Sequence, residues 1–401
     1  MTATAAVEFD PVSSTFFDDP YDTYRRLRDE APVYFNEQYG FWALSRHEDV
    51  LEASRNWPEF SSARGIDLYS LTQGGVSVEM IIMMDPPRHD RLRLLVSRVF
   101  TPRSIAALEP MIRDVILSFL EPLEGRERFD ITGECFAPFP VEIISRMLGV
   151  PAADRQQIRH CLDRGLHREP GQLAPSEDSM LANLEMAGYF LDLVADKRKH
   201  PGDDMLSRLI EAEVVDDEGQ TQALTDNEIA GFAGLIGGAG AETVTKLLGN
   251  MVMLFRQFPD EYERVLADPA LIPPAIEEAL RMQPPSQYQG RMSAKDVELH
   301  GRTIPADAPV ILITGAATRD ERAFERPDEF IIDRPPHLSL AFGYGVHSCL
   351  GAALARMEAR IAIEEVIARW PRYDVDEAGL ERVQMINVAG YSGIPFIPVT
   401  S

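Results

Sequence analysis

One cysteine carries the sharpest chemical signal in the chain. Cys349 stands in the run Phe342-Gly343-Tyr344-Gly345-Val346-His347-Ser348-Cys349-Leu350-Gly351, and Leu354, Met357 and Ile361 mark an apolar stripe just after it. That spacing predicts a helix beginning immediately past the cysteine. Free N–H groups and the positive dipole end of such a helix favour thiolate over thiol. Gly343 and Gly345 permit a tight turn that brings backbone close to the sulfur. A thiolate so held is suited to bind a soft metal centre axially. Elsewhere, Glu278 and Arg281 lie at i and i+3 and share a helix face. The stretch DPPRHDRLRLLVSRVFTPR concentrates Arg88, Arg91, Arg93, Arg98 and Arg103 in an otherwise acidic chain.

The elements that must position these residues read as mainly helical. Thr225 and Glu228 form a capping box, and the helical pattern then runs to about Phe258, where Pro259 ends it. Roughly 30 residues at ~1.5 Å each make a rod of ~50 Å. Its middle carries Gly234, Gly237, Gly238 and Gly240, each costing ~1 kcal/mol relative to alanine. Either a flat or bulky group needs backbone access there, or neighbouring helices pack closely. Tyr21, Tyr24 and Leu27 repeat at helical spacing, and SIAALEPMIRDVILSFLEPL continues in the same way. Short strand-like runs occupy 41–45, 297–304, 309–315 and the turn-rich C-terminus. No repeat or low-complexity linker appears, so residues 1–401 are expected to form a single domain, mainly α with a minor β region.

Composition narrows the function. The 401 residues hold 39 basic and 64 acidic side chains, a formal net charge of −25, which argues against nucleic acid or an anionic membrane as the main partner. Cys135, Cys161 and Cys349 form no CxxC pair, which suits a reducing cytoplasm and excludes a disulfide framework. The start MTATAAVEFD has no secretory character. The uncharged helical stretch Ile229–Ala241 falls short of the ~20 residues of a membrane span.

Phe-Gly-x-Gly-x-His-x-Cys-Leu-Gly resembles the cysteine segment of the cytochrome P450 family, specifically its soluble bacterial members. The resemblance implies the P450 fold, with haem b between the long central helix and the cysteine-loop helix. Cys349 is then the axial iron ligand, with Phe342, Gly343, His347 and Gly351 around the cofactor. Asp-Pro-Pro-x-His-x-x-x-Arg assigns His89 and Arg93 to the haem propionates, with Arg291 and His337 as further contacts. Ala239-Gly240-Ala241-Glu242-Thr243 matches the central-helix motif. Ala239 and Gly240 would adjoin haem, Thr243 would hold a hydrogen-bond network, and Glu242 would help relay protons. Val244 departs from a second threonine common in relatives. Glu278, Arg281 and, in PDEFIIDR, Arg334 correspond to a buried network supporting the cysteine loop.

The implied activity is monooxygenation with O2. Electrons would come from NAD(P)H through a ferredoxin reductase and an acidic ferredoxin, docked on Arg356, Arg360 and the other arginines. Two alternatives keep the haem: a peroxide-driven or ring-coupling enzyme, which intact Glu242 and Thr243 argue against, and a non-catalytic haem-binding protein. Substrate contacts are expected in Gly65–Met84, 165–195, Leu235–Thr243, Pro285–Gln289 and Tyr391–Ile394. Tyr69, Leu235, Ala239, Gln287, Tyr288 and Tyr391 are the candidates for a lipophilic small molecule. A monomer is expected.

Overall fold

The computed structural model describes residues 7–74, 80–97, 100–215, 220–385 and 387–399. Arg98 and positions 75–79 of the expected substrate segment lie outside the described residues. The capping box forms as expected: the Thr225 side chain accepts from the Glu228 N–H, and the Thr225 N–H donates to Glu228 Oε2 at 2.9 Å. From it runs the central helix Asp226–Gln257, whose C-terminal half is almost wholly buried. Around it pack the helices Pro138–Leu148, Glu177–Lys199, Ile272–Met282 and Ala352–Arg369. Their facing Leu, Ile, Val and Phe side chains form the largest apolar cluster.

The β region is minor, as expected. One sheet orders Val33–Asn36, Phe41–Leu44, Pro309–Leu312, Gln289–Ser293 and Phe60–Ser61, with a parallel pairing only between the second and third. A second sheet joins Tyr373–Val375, Pro395–Pro398 and Phe129–Asp130. Three local expectations change. The run 297–304 is a hairpin of Val297–Leu299 and Arg302–Ile304, turned by His300 and Gly301 at positive φ. The strand from Pro309 stops at Leu312, and Thr314–Ala317 is helical. Helix Pro102–Ala106 ends before Glu109–Leu120 begins, because Pro110 in the second helix's first turn lacks the N–H that would continue the first.

Near the C-terminus, Glu381–Arg382 pairs with Tyr391–Gly393, and the turn between them rests on the segment before Gln289–Ser293. The Gln287 N–H donates to the Asn387 carbonyl at 2.7 Å and the Ala389 N–H to Pro285 at 2.9 Å. The connection between helices Arg155–Leu166 and Glu177–Lys199 lies against this turn. The Arg168 N–H donates to Gln384 at 3.0 Å, His167 bridges Met385, and the Gly171 N–H reaches Val12 at 2.8 Å.

Candidate active site

The cysteine loop is shaped by two glycines. Gly343 and Gly345 adopt φ of 66° and 75°, where an L side chain is strained. A Cβ on Gly345 would also lie 2.7 Å from the Ser54 carbonyl oxygen, so the loop sits directly on the end of helix His47–Arg55. The Cys349 N–H closes the loop by donating to Phe342 at 2.8 Å. Helix Ala352–Arg369 follows at once, capped by Gly351. Burial is the largest influence on the Cys349 thiol and pushes it up. The Gly351 and Ala352 N–H groups, Arg93 and Arg356 pull the other way and do not prevail. The helix terminus acts in the expected direction, and burial opposes it. Cys349 is exposed by area, but its sulfur shares the walls of an internal cavity, whose surroundings still desolvate it.

That cavity, ≈ 310 Å³, brings together most of the residues singled out from sequence. Cys349, Phe342, Gly343, His347 and Gly351 line it, as do Leu235, Ala239, Gly240 and Thr243 of the central helix and His89 and Arg93 of helix Arg88–Ser97. Its remaining lining is mostly apolar, including Ile81, Ile144, Phe232 and Leu247. One end is polar and under-satisfied. The rings of His89 and His347 lie 4.5 Å apart, and neither Nε2 has a hydrogen-bond partner. Burial, with Arg291, His89 and Arg93 nearby, pushes the His347 imidazole down to about 3. Burial also lowers Arg93, and brings Arg291 down to about 10. Buried donors and cations of this kind require anionic or accepting partners. The residues therefore fit a flat apolar group with carboxylate arms at this end and a metal at the sulfur, which is the chemistry of haem.

The central helix divides its glycines between two tasks. Gly240 lines the cavity. A Cβ on Gly238 would lie 3.3 Å from Leu162, so that position serves close packing between helices, whereas one on Gly234 or Gly237 would make only ordinary contact with Phe190 at 3.8 Å. The Thr243 hydroxyl donates to the Ala239 carbonyl at 2.8 Å, leaving its lone pairs to the cavity. Glu242 does not line the cavity. Its carboxylate is buried 2.9 Å from Lys246 Nζ, although Oε2 makes no well-aligned hydrogen bond. On helix Arg155–Leu166, burial and the Glu242 charge push Asp163 up to about 6. Lys246 and Asp163 escaped sequence reading, although Lys246 stands at i+4 from Glu242, the spacing of a helical ion pair. Glu358 was also missed. It lines the cavity from helix Ala352–Arg369, is 3% exposed, and burial raises its carboxyl well above the ordinary range.

The expected charge network forms. Arg281 donates from Nε and an NH2 group to the two oxygens of Glu278, both at 2.8 Å, and Arg334 Nε reaches Glu278 at 3.1 Å. Arg281 also ties down the carbonyls of Thr318, Pro327 and Glu329. This fastens the segment leading into the cysteine loop.

Several expectations need correction. His337 does not reach the cavity wall: its ring meets Phe324 edge-on at 5.0 Å beside Glu278, Arg281 and Arg334. Arg291 lies behind the wall, acting on His347 through its charge. Gln287, Tyr288 and Tyr391 face elsewhere. Gln287 accepts from Tyr24 at 3.1 Å, Tyr288 packs on Phe16, and Tyr391 and Gln287 border a separate polar pocket. Pro285, Ser286 and Gln289 line the cavity in their place. Tyr69 is half-buried near Arg168 and absent from the lining. The basic patch is largely compensated: Arg91 pairs with Glu228, Arg356 with Glu277, and Arg360 with Glu109 and Glu364.

Comparison with known proteins agrees with this geometry. Residues 266–371 match the cytochrome P450 family. The chain is 41% identical over 389 residues to a putative cytochrome P450 123 of Mycobacterium tuberculosis, covering 96% of each chain. It is 39% identical over 358 residues to the erythromycin C-12 hydroxylase of Saccharopolyspora erythraea, covering 87% of each. Among solved structures, CYP109E1 of Bacillus megaterium in complex with testosterone superposes with a TM-score of 0.87 at 33% identity, covering 95% of this chain and 98% of that one.

Proposed function

The chain belongs to the cytochrome P450 family and is a haem-thiolate monooxygenase, and on that premise we propose which of its residues perform the reaction, and on what. Cys349 would hold the iron of haem b through its sulfur. Haem, when bound, supplies the activation of O2 and the oxidising power that hydroxylates a C–H bond. The protein contributes placement, protons and dryness. The observation carrying this reading is that Cys349, the central-helix residues Ala239, Gly240 and Thr243, and the His89, His347 and Arg93 cluster share one cavity.

His89, His347 and Arg93 would bind the propionates, with Arg291 supporting them from behind. Burial raises the Cys349 thiol and disfavours a free thiolate, so a bound metal would complete its charge balance. Thr243 keeps its hydroxyl hydrogen on Ala239 and can hold a water through its lone pairs. Glu242 would pass protons toward that water after leaving Lys246, which holds it in the resting arrangement. The apolar lining excludes bulk water and favours a lipophilic substrate, bound against Leu235, Ala239, Ser286 and Gln289. The relatives' named compounds, erythromycin and testosterone, support a bulky, lipophilic molecule, and the erythromycin relative supports a place in secondary metabolism. Electrons from NAD(P)H would arrive through a ferredoxin reductase and a ferredoxin in the cytoplasm. Among the described residues no helix is long and apolar enough to cross a membrane.

The test is the CO difference spectrum of the reduced protein, beside that of Cys349→Ala. A thiolate-type band in the parent and its loss in the variant are expected; an unchanged band in the variant overturns the assignment. A spin-shift screen then identifies the substrate class, and a response confined to small hydrophilic acids contradicts the lipophilic reading.

A further inference from the structure

The helix Glu177–Lys199 is apolar on two opposite faces. Ala182, Met186, Phe190, Leu193 and Val194 are buried against the protein. On the outer side, Leu181, Leu184, Gly188, Leu191 and Ala195 recur at alternating spacings of three and four residues, the seam pattern of a coiled coil. All five are exposed, Leu184 by 69% and Leu181 by 49%. Of the seven large apolar side chains exposed among the described residues, four belong to this helix. Burying them on a folded protein requires a partner.

We propose that this face pairs with the same face of a second copy, the two helices running antiparallel across a two-fold axis near Gly188. Three observations select that occupant. Gly188 lies midway along the helix, and a Cβ there would meet nothing within 4 Å. With Ala187 beside it, the centre offers the shallow groove in which a leucine from an identical helix fits. The ends are complementary along the seam: Glu177 stands in the first turn and Lys199 in the last, whereas Asp178, Lys197 and Arg198 already pair with Arg164, Asp204 and Asp226. Antiparallel pairing sets each acidic end against a basic end and aligns opposite helix dipoles. A two-fold contact needs a self-complementary surface of this kind.

A lipid surface fits less well, because Glu185 and Asp192 flank the seam in a chain of net charge −25. Against a second copy those two acids repel, but Arg164 already compensates Glu185 at 3.1 Å. One helix pair is small beside the about 1,200–2,000 Å² of stable interfaces, so the dimer is reversible and concentration-dependent. It departs from the monomer expected from sequence, and does not depend on the substrate assignment.

Sedimentation of the haem-loaded protein, from micromolar to submillimolar loading, tests the pairing. The weight-average mass should rise toward twice the monomer value and remain monomeric in Leu184→Glu, whose unchanged haem absorbance reports an intact fold. Gly188→Cys should cross-link to itself under mild oxidation beyond the parent background, independently of any folding defect in Leu184→Glu. Glu177→Cys should cross-link only when mixed with Lys199→Cys. A parent monomeric throughout, a Leu184→Glu dimer, self-linking of Glu177→Cys, or capture of the parent by phospholipid vesicles each overturns the proposal.

Discussion

At the scale of single residues, unpaired polar atoms mark the site most clearly. Arg93 is a half-buried cation that donates to a carbonyl, that of Ser348 at 2.7 Å. Replacing it with leucine removes a charge-assisted donor worth about 1.5–3 kcal/mol, and haem retention measured by transfer to apomyoglobin should weaken roughly 10–100-fold. Asp163 gives a pH signature. Its carboxyl titrates near 6 in the folded protein and near 3.9 when unfolded, so the native state holds an extra proton between those values. Its contribution is therefore most favourable below pH 4 and is lost as pH rises through 6. The side chain is 46% exposed, which keeps the effect small. Asp163→Asn should match the parent's Tm at pH 4 and exceed it at pH 7; a constant difference across that range counts against the shift. Cys349 was legible because its meaning is local. Asp163 and Lys246 were not, because their relation to Glu242 appears only when helix faces are known.

At the scale of elements, the Glu278 network and the glycine loop hold the cysteine in place. Glu278 is 2% exposed and accepts from two arginines. Glu278→Gln strands part of that positive charge in the interior, a change costing about 3–5 kcal/mol. A denaturation midpoint shifted by less than 1 kcal/mol-equivalent would show that solvent reaches the network. Gly345→Ala meets both a positive φ and a backbone oxygen at 2.7 Å, so we expect about 1–3 kcal/mol of destabilisation and a shifted Soret band. The i, i+3 pair and the capping box were readable because helical spacing fixes both. The stretch 285–289 misled because its side chains diverge: Ser286 and Gln289 face the cavity, while Gln287 and Tyr288 turn to the Tyr24 and Phe16 cluster. Sequence marks such a segment without saying which of its residues face inward. His337 is a like case: it lies off the cavity wall with its ring edge-on to Phe324, while its Nε2 stays buried without a hydrogen-bond partner.

At the scale of the whole molecule, the central helix is the common wall, and segments far apart in sequence close around it. The cavity-lining Pro285 and Ser286 carry Ala389 and Val388 outside them; on the nearby Gln384 and Met385 rest Arg168 and His167, and the same connection reaches Val12 through Gly171. We expect a bulky ligand to part these layers on entering or leaving. The layers would then act as a kinetic gate. Stopped-flow mixing should give an observed rate that levels off as ligand concentration grows, with a plateau common to chemically unrelated ligands, since the plateau reports the protein's own opening. A slow-leaving compound here need not be a tight-fitting one, and affinity ranked from residence time alone would misorder the candidates.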